Sequence, residues 1–181
     1  MVPKLVVFMI MANIRQAQKK DAAGICEVST ITWKVTYMNL IDDLYLSSRV
    51  VSETSIKKWE DRICETKGLK KFIWVAVCSN KIVGFLWGGA ARVHKIKNIN
   101  FEIYAFYVLP ENQRQGIGKK LLLAFERQVK NSFFLWMLEG NKSEIIYQSL
   151  GGKKTVSKNT LIIDGKRYQE VAYVWESTKM I

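Results

Sequence analysis

Between Asn100 and Lys130 a strand-like run, a proline, a glycine-bearing turn and an amphipathic helix follow one another without a gap. That order constrains the chain more than any other feature. From Asn100 to Leu109 nearly every side chain is β-branched, aromatic or apolar, the pattern of a strand covered on both faces. Pro110 cannot donate to a ladder and holds the residue before it extended, so the strand ends there. Gln113, Arg114, Gln115, Gly116, Ile117 and Gly118 make the turn. Behind it Leu121, Leu122, Phe125 and Val129 share one helix face, while Lys119, Lys120, Glu126, Arg127 and Lys130 fall mostly on the other. A turn that opens a helix aims unpaired backbone N–H groups at one point, where the helix dipole favours phosphate. Taken alone, the two glycines fit a tight turn with close packing equally well.

The wider string is more specific. A strand, V-x-P, a short spacer, Q-x-x-G-x-G and a leucine-rich helix resemble the coenzyme A loop of the GNAT superfamily of N-acetyltransferases. Val108, Pro110, Gln113, Gly116, Ile117 and Gly118 carry that resemblance, with Arg114 and Lys119 as the basic residues beside the loop. A second match lies downstream: Asn141, then a short helix with Tyr147, then Leu150 and Gly151. The resemblance covers residues 13 to 176 and is loose over the first sixty. It implies an acetyl-CoA-dependent enzyme that acetylates a primary amine of a small molecule, a polyamine among the options. Two other functions stay open: acetylation of protein N-termini or lysines by a basic protein that docks on ribosomes, and acyl-CoA binding without catalysis.

Charge and cysteines bound the setting. The chain has 28 Lys and Arg against 16 Asp and Glu, a net charge of +12, which suits anionic partners such as CoA but also simple solubility. No RNA-binding aromatic motif is visible, so a nucleic-acid partner is not expected. Cys26, Cys64 and Cys78 are too few and too scattered for a disulfide framework or a metal site, and a cytoplasmic protein without metal is expected. Lys4 and the apolar run after it resemble a minimal signal peptide, yet the run is too short to cross a bilayer. Residues 1–12 are taken as an extension ahead of a start near Met9 or Met11, residues 13–176 as the domain, and 177–181 as a tail. No membrane contact is expected, and homodimerisation stays open.

The remaining elements follow from local signals. Ile14 to Ala17 suits a short strand, and Asp21 an N-cap for a helix with Ile25, Val28, Ile31 and Thr32 at core spacing. Trp33, Tyr37, Leu40 and Tyr45 suit core packing in a second helical region where Asp42 and Asp43 open a helix. Ser52–Thr66 suits a helix ended at Lys67-Gly68. Phe72–Cys78 and Ile82–Ala90 suit a hairpin, and so do Thr155–Ile163 and Glu170–Trp175 around Asp164-Gly165. Phe133–Leu138 is a wholly apolar strand, and Lys142–Leu150 a short helix. His94, in a basic loop, suits a solvated surface position. The fold expected is α/β: a mixed, twisted, mostly antiparallel sheet of about seven strands with helices on both faces.

The family resemblance adds the site. It implies that the fourth and fifth strands splay apart and that the backbone of Phe106, Tyr107 and Val108 pairs with the pantetheine arm like an added strand. A bulge there would free the Phe106 N–H for the thioester carbonyl. Residues Gln113 to Lys119 and Asn141 would complete the cofactor site. Glu102, eleven residues before Gln113, fits the position of a glutamate base, and equally a structural carboxylate paired with a basic side chain. Tyr147 is the candidate acid for the departing thiolate, or else a core tyrosine. Tyr37 and Asp42 are candidate substrate contacts, and Asp42, Asp43, Glu102 and Glu170 are the carboxylates that would attract a polyamine.

Overall fold

Two hairpins frame the sheet, and each turns on a pair of residues with positive φ. Strands β2 (Lys71–Cys78) and β3 (Lys81–Ala90) meet through Ser79 and Asn80, at φ 47° and 63°. Strands β6 (Lys153–Ile163) and β7 (Lys166–Trp175) meet through Asp164 and Gly165, at φ 49° and 75°. Such two-residue turns match the twist of the strands they join. The computed structural model describes residues 12–66, 70–92 and 96–177. The expectations for the N-terminal extension, for Lys67-Gly68, for His94 and for the tail beyond residue 177 lie outside the described residues.

The order of the seven strands is β1-β2-β3-β4-β5-β7-β6, with β1 at Asn13–Gln16, β4 at Phe101–Val108 and β5 at Phe133–Leu138. Only β4 and β5 run parallel; the other pairs are antiparallel. The parallel pair needs a crossover, and α4 (Ile117–Val129) supplies it. Its apolar face buries Leu121, Leu122, Phe125 and Val129 against Leu86, Ile103, Phe133 and Leu135. The opposite face of the sheet is covered by α1 (Ala22–Tyr37) and α3 (Glu53–Glu65), whose Ile25, Val28, Trp59 and Ile63 pack on Ile73, Val75 and Phe85. The expected α/β architecture, with helices on both faces, is observed.

Some local expectations change. The first helix runs on to Tyr37, so Trp33 and Tyr37 belong to α1 rather than to a second region. Ile31 faces outward at 39% exposure, because the helix turns its Val28 and Thr32 face inward. Asp43 begins α2 (Asp43–Ser48), and Ser52 caps α3 by accepting from the Ser55 N–H. Asp21 precedes α1 without capping it. Its buried carboxylate instead takes both ends of the Arg15 guanidinium, at 2.6 and 2.8 Å, and the Gln18 N–H at 2.7 Å.

Burial alone would raise the Asp21 pKa, but hydrogen bonds from Arg15 and Gln18 outweigh it and hold the group below its ordinary value. A depressed carboxylate stabilises the fold at pH values above its unfolded pKa, and that contribution disappears as pH falls through the folded pKa. The expected result is a melting temperature that drops on acidification below about pH 4, with Asp21→Asn already lower at pH 7 and less sensitive to acid. Melting curves of both proteins from neutral to acid pH check this.

Candidate active site

The strands β4 and β5 pair only at one end. Phe101, Glu102 and Ile103 lie opposite Phe133, Phe134 and Leu135, and from Tyr104 and Trp136 onward no pairing joins the two strands. The gap opens into a cleft of about 450 Å³ between the end of α1, the start of α4 and α5 (Glu144–Ser149). A bulge accompanies the opening. Trp87 lies opposite Ala105 while Gly88 lies opposite Ile103, so Tyr104 is the extra residue in β4. The bulge comes two residues before the position anticipated for it. It also reverses the alternation: Ile103 and Phe106 both belong to the α4 side of the sheet, and Ala105 and Tyr107 to the α1 side.

The turn before α4 has the geometry of an anion cradle. Gly116 occupies the N-cap position at φ 74°, and Arg114 before it is also left-handed at φ 60°. The first helical bond runs from the Lys120 N–H to the Gly116 carbonyl, which leaves the N–H groups of Ile117, Gly118 and Lys119 ahead of the ladder. The Gln113 side chain braces the turn by donating to the Val108 carbonyl at 3.0 Å, and Gln115 donates to the Glu111 carbonyl at 3.2 Å. Gln113, Arg114, Gly116, Ile117, Gly118 and Lys119 all line the cleft, whereas Gln115 does not.

At the other end three tyrosines converge. The hydroxyls of Tyr37 and Tyr107 are 3.1 Å apart, and both residues line the cleft with Tyr147. The Tyr147 ring stacks on Phe106 at 6.3 Å and meets Tyr173 and Trp175 at 5.8 and 6.2 Å. Burial, then the neighbouring Tyr37, raises the Tyr147 pKa far above that of a free phenol, so the hydroxyl stays a donor throughout the neutral range. Burial likewise raises Tyr107 and Tyr37. Helix α5 is fixed from both ends. The Asn141 side chain accepts from the Ser143 N–H at 2.8 Å at its start. At its end the Gly152 N–H reaches the Tyr147 carbonyl and the Trp175 indole donates to the Leu150 carbonyl, each at 2.9 Å. A Cβ on Gly152 would lie 2.6 Å from the Trp175 ring, so only glycine permits this closure.

Two of the anticipated residues are engaged outside the cleft lining. The Glu102 carboxylate is 1% exposed and does not line the cleft. It accepts from the Arg92 backbone N–H at 2.9 Å and from the Arg92 guanidinium at 2.5 and 3.1 Å. These are the contacts of a structural carboxylate, and the bulge at Tyr104 separates it from Phe106. Glu102→Gln is accordingly expected to slow turnover by a similar factor at every pH and to cost about 1–3 kcal/mol of stability. Parallel pH–rate profiles and urea unfolding check it, and a loss confined to neutral pH would restore the base. Asp42 is also occupied: it caps α2 through the Leu44 and Tyr45 N–H groups and pairs with Lys166 at 2.5 Å. It does not line the cleft. Trp136, Thr32 and Thr36 do; periodicity gives Thr32 and Trp136 only packing roles and singles out nothing at Thr36.

Among the described residues no group of His, Cys, Asp and Glu could hold a metal ion, and no helix is long and apolar enough to cross a membrane. A family model described as the acetyltransferase (GNAT) domain matches residues 70–151. The uncharacterized N-acetyltransferase YuaI of Bacillus subtilis is 31% identical over 169 residues, spanning 91% of this chain and 93% of that protein. The spermidine N(1)-acetyltransferase of Thermoplasma acidophilum is 26% identical over 124 residues, or 68% of this chain and 73% of the relative. Among solved structures, the PaiA N-acetyltransferase of Thermoplasma acidophilum, in complex with coenzyme A, superposes with a TM-score of 0.67 at 22% identity, covering 91% of this chain and 98% of that one.

Proposed function

Because the chain belongs to the GNAT family of acetyltransferases, we propose that it moves an acetyl group from acetyl-CoA to a primary amine of a small molecule, by direct attack in a ternary complex. One observation carries this reading: a single cleft joins the open N-terminus of α4 to the hydroxyls of Tyr37, Tyr107 and Tyr147. The pyrophosphate would rest on the N–H groups of Ile117, Gly118 and Lys119, with Arg114 adding charge. The pantetheine arm would follow the open edge of β4 from Val108 through Tyr107 to Phe106 as an added strand, which fills the place that β5 leaves. Asn141 would hold α5, and with it Tyr147, against the arm.

Attack needs a neutral amine and a protonated leaving group. With Glu102 taken by Arg92, no carboxylate of β4 is assigned as base. The paired hydroxyls of Tyr37 and Tyr107 would pass the amine's proton on to solvent water, since one oxygen can accept as the other donates and neither phenol has to ionise. Tyr147 would donate a hydrogen bond to the departing sulfur, a role that suits a phenol protonated throughout the neutral range. Polyamines are the first acceptors to assay, since a spermidine acetyltransferase is among the relatives. A panel of amines with acetyl-CoA, followed by free-thiol detection, tests the reading. Thiol release that depends on an amine is expected. Saturable acetyl-CoA binding without such release would make the protein an acyl-CoA-binding module instead.

A further inference from the structure

On the face of the sheet turned toward α1 and α3, the cleft is lined by Tyr107 and Trp136. Trp87, Tyr104, Tyr107 and Trp136 lie at the middle of that face yet are only half-buried. Beside the cleft, and outside the residues that line it, three guanidinium groups lie over aromatic rings. Arg49 is 4.0 Å from the centre of the Trp33 ring, Arg62 is 4.7 and 4.8 Å from those of Trp59 and Trp87, and Arg92 is 4.5 Å from that of Tyr104. The rings of Trp87 and Tyr104 meet edge-on at 5.0 Å, so Arg62 and Arg92 belong to one strip. The charge of Arg49 acts on Arg62, Tyr37 and Tyr107 alike, which ties the strip to the phenol pair of the cleft.

Two of these arginines lack a paired acid. Arg92 has Glu102, but Arg49 and Arg62 form no ion pair among the described residues. Glu65, whose charge reaches Arg62, is engaged by Lys71 at 3.0 Å. Glu170 accepts from Asn159 at 2.8 Å, and its charge, which the neutral amide does not cancel, acts on Tyr37 rather than on Arg62. The Nε of Arg49 and the indole N–H groups of Trp87 and Trp136 are buried without an acceptor. Burial and the charge of Arg49 lower the Arg62 pKa, so the two cations are held together at a cost. Donors without acceptors and like charges without counter-charge destabilise a fold unless a ligand supplies the missing oxygens. Stacking on rings keeps the half-buried Arg49 and Arg62 forks oriented and partly dehydrated, a state suited to a planar anion.

We propose that this strip is the acceptor subsite, and that the acceptor amine carries an anionic group, a carboxylate or a phosphate, held by Arg49 and Arg62 while its amine reaches Tyr107. The proposal rests on the acetyltransferase reading above and turns it away from polyamines, whose further ammonium groups would meet the two cations. Thiol release by the full chain is compared for amino acids, their amides, an aminoalkyl phosphate and a polyamine. The acids or the phosphate should exceed the amides in kcat/KM by about ten- to a hundredfold, with the polyamine lowest. Arg49→Gln and Arg62→Gln should each remove most of that preference through the acceptor KM, with acetyl-CoA affinity in calorimetry as the check on folding. Amides or polyamine that match the anionic amines, or variants that keep the preference, would overturn the proposal. If no amine releases thiol, the acetyltransferase reading fails by itself. The subsite is then judged by calorimetry of acids against amides on the CoA-loaded protein, where equal affinity overturns it.

Discussion

Gly116→Glu and Gly118→Asp each abolish detectable acetyl-CoA binding, a loss of at least about a hundredfold in affinity, in proteins that still fold: this is the largest effect expected from the site. The two glycines act differently. Gly116 sits at φ 74° with nothing within 4 Å of where a Cβ would stand, so the fold itself leaves room for a side chain there. A non-glycine residue in that region costs about 1–2 kcal/mol, which lowers stability without unfolding the domain. The carboxylate, however, would occupy the concavity meant for phosphate and repel it. Gly118 is the second residue of α4, and a Cβ there would stand 3.5 Å from Cζ of Phe106. An aspartate would fill the passage between α4 and β4. Calorimetry with acetyl-CoA, beside circular dichroism of each variant, measures this, and unchanged affinity in a folded variant would remove the cradle from the account. Arg114→Ala should weaken binding far less, and mostly at low ionic strength, because it adds charge and not the cradle.

The second large effect is on turnover. Tyr147→Phe keeps the ring that stacks on Phe106 and packs on Tyr173 and Trp175, and it keeps the carbonyl that closes α5. Only the hydroxyl is lost. A drop of about 10–1000-fold in kcat is expected, with acetyl-CoA affinity and melting temperature near those of the wild type. The reason is chemical: the departing CoA sulfur gathers negative charge, and a buried donor beside it stabilises that charge more than water does. Steady-state kinetics at saturating acetyl-CoA measure the effect. Turnover within twofold of wild type would reduce Tyr147 to a packing residue.

The sequence disclosed what is set within a few residues. The strand, Pro110, the left-handed Gly116 and the amphipathic helix are all local chemistry, and they stand where the pattern put them. The same holds for the hairpin at Asp164-Gly165 and the stop of α5 at Gly151. What remained hidden depends on partners distant in the chain. Glu102 is decided by Arg92, at the far end of the loop that joins β3 to β4, and no spacing rule announces that pairing. The bulge at Tyr104 changes which side chains share a face, and strict alternation cannot show it. Asp42 gave away its cap but not Lys166, which comes from β7. The strip of Arg49, Arg62 and Arg92 assembles from the end of α2, from α3 and from the end of β3. Nothing in the local sequence around any one of these arginines marks it.

The account stands or falls on direct transfer within the splay between β4 and β5. Its most direct measurement is a paired time course of free thiol and of acetylated amine by mass spectrometry, with the intact mass of the protein followed alongside. The account predicts that thiol and acetylamine rise one for one, only when acetyl-CoA and amine are both present, and that the protein gains no acetyl group on the way. Thiol release without acetylated amine, or an acetylated protein that forms and decays at the catalytic rate, would contradict it.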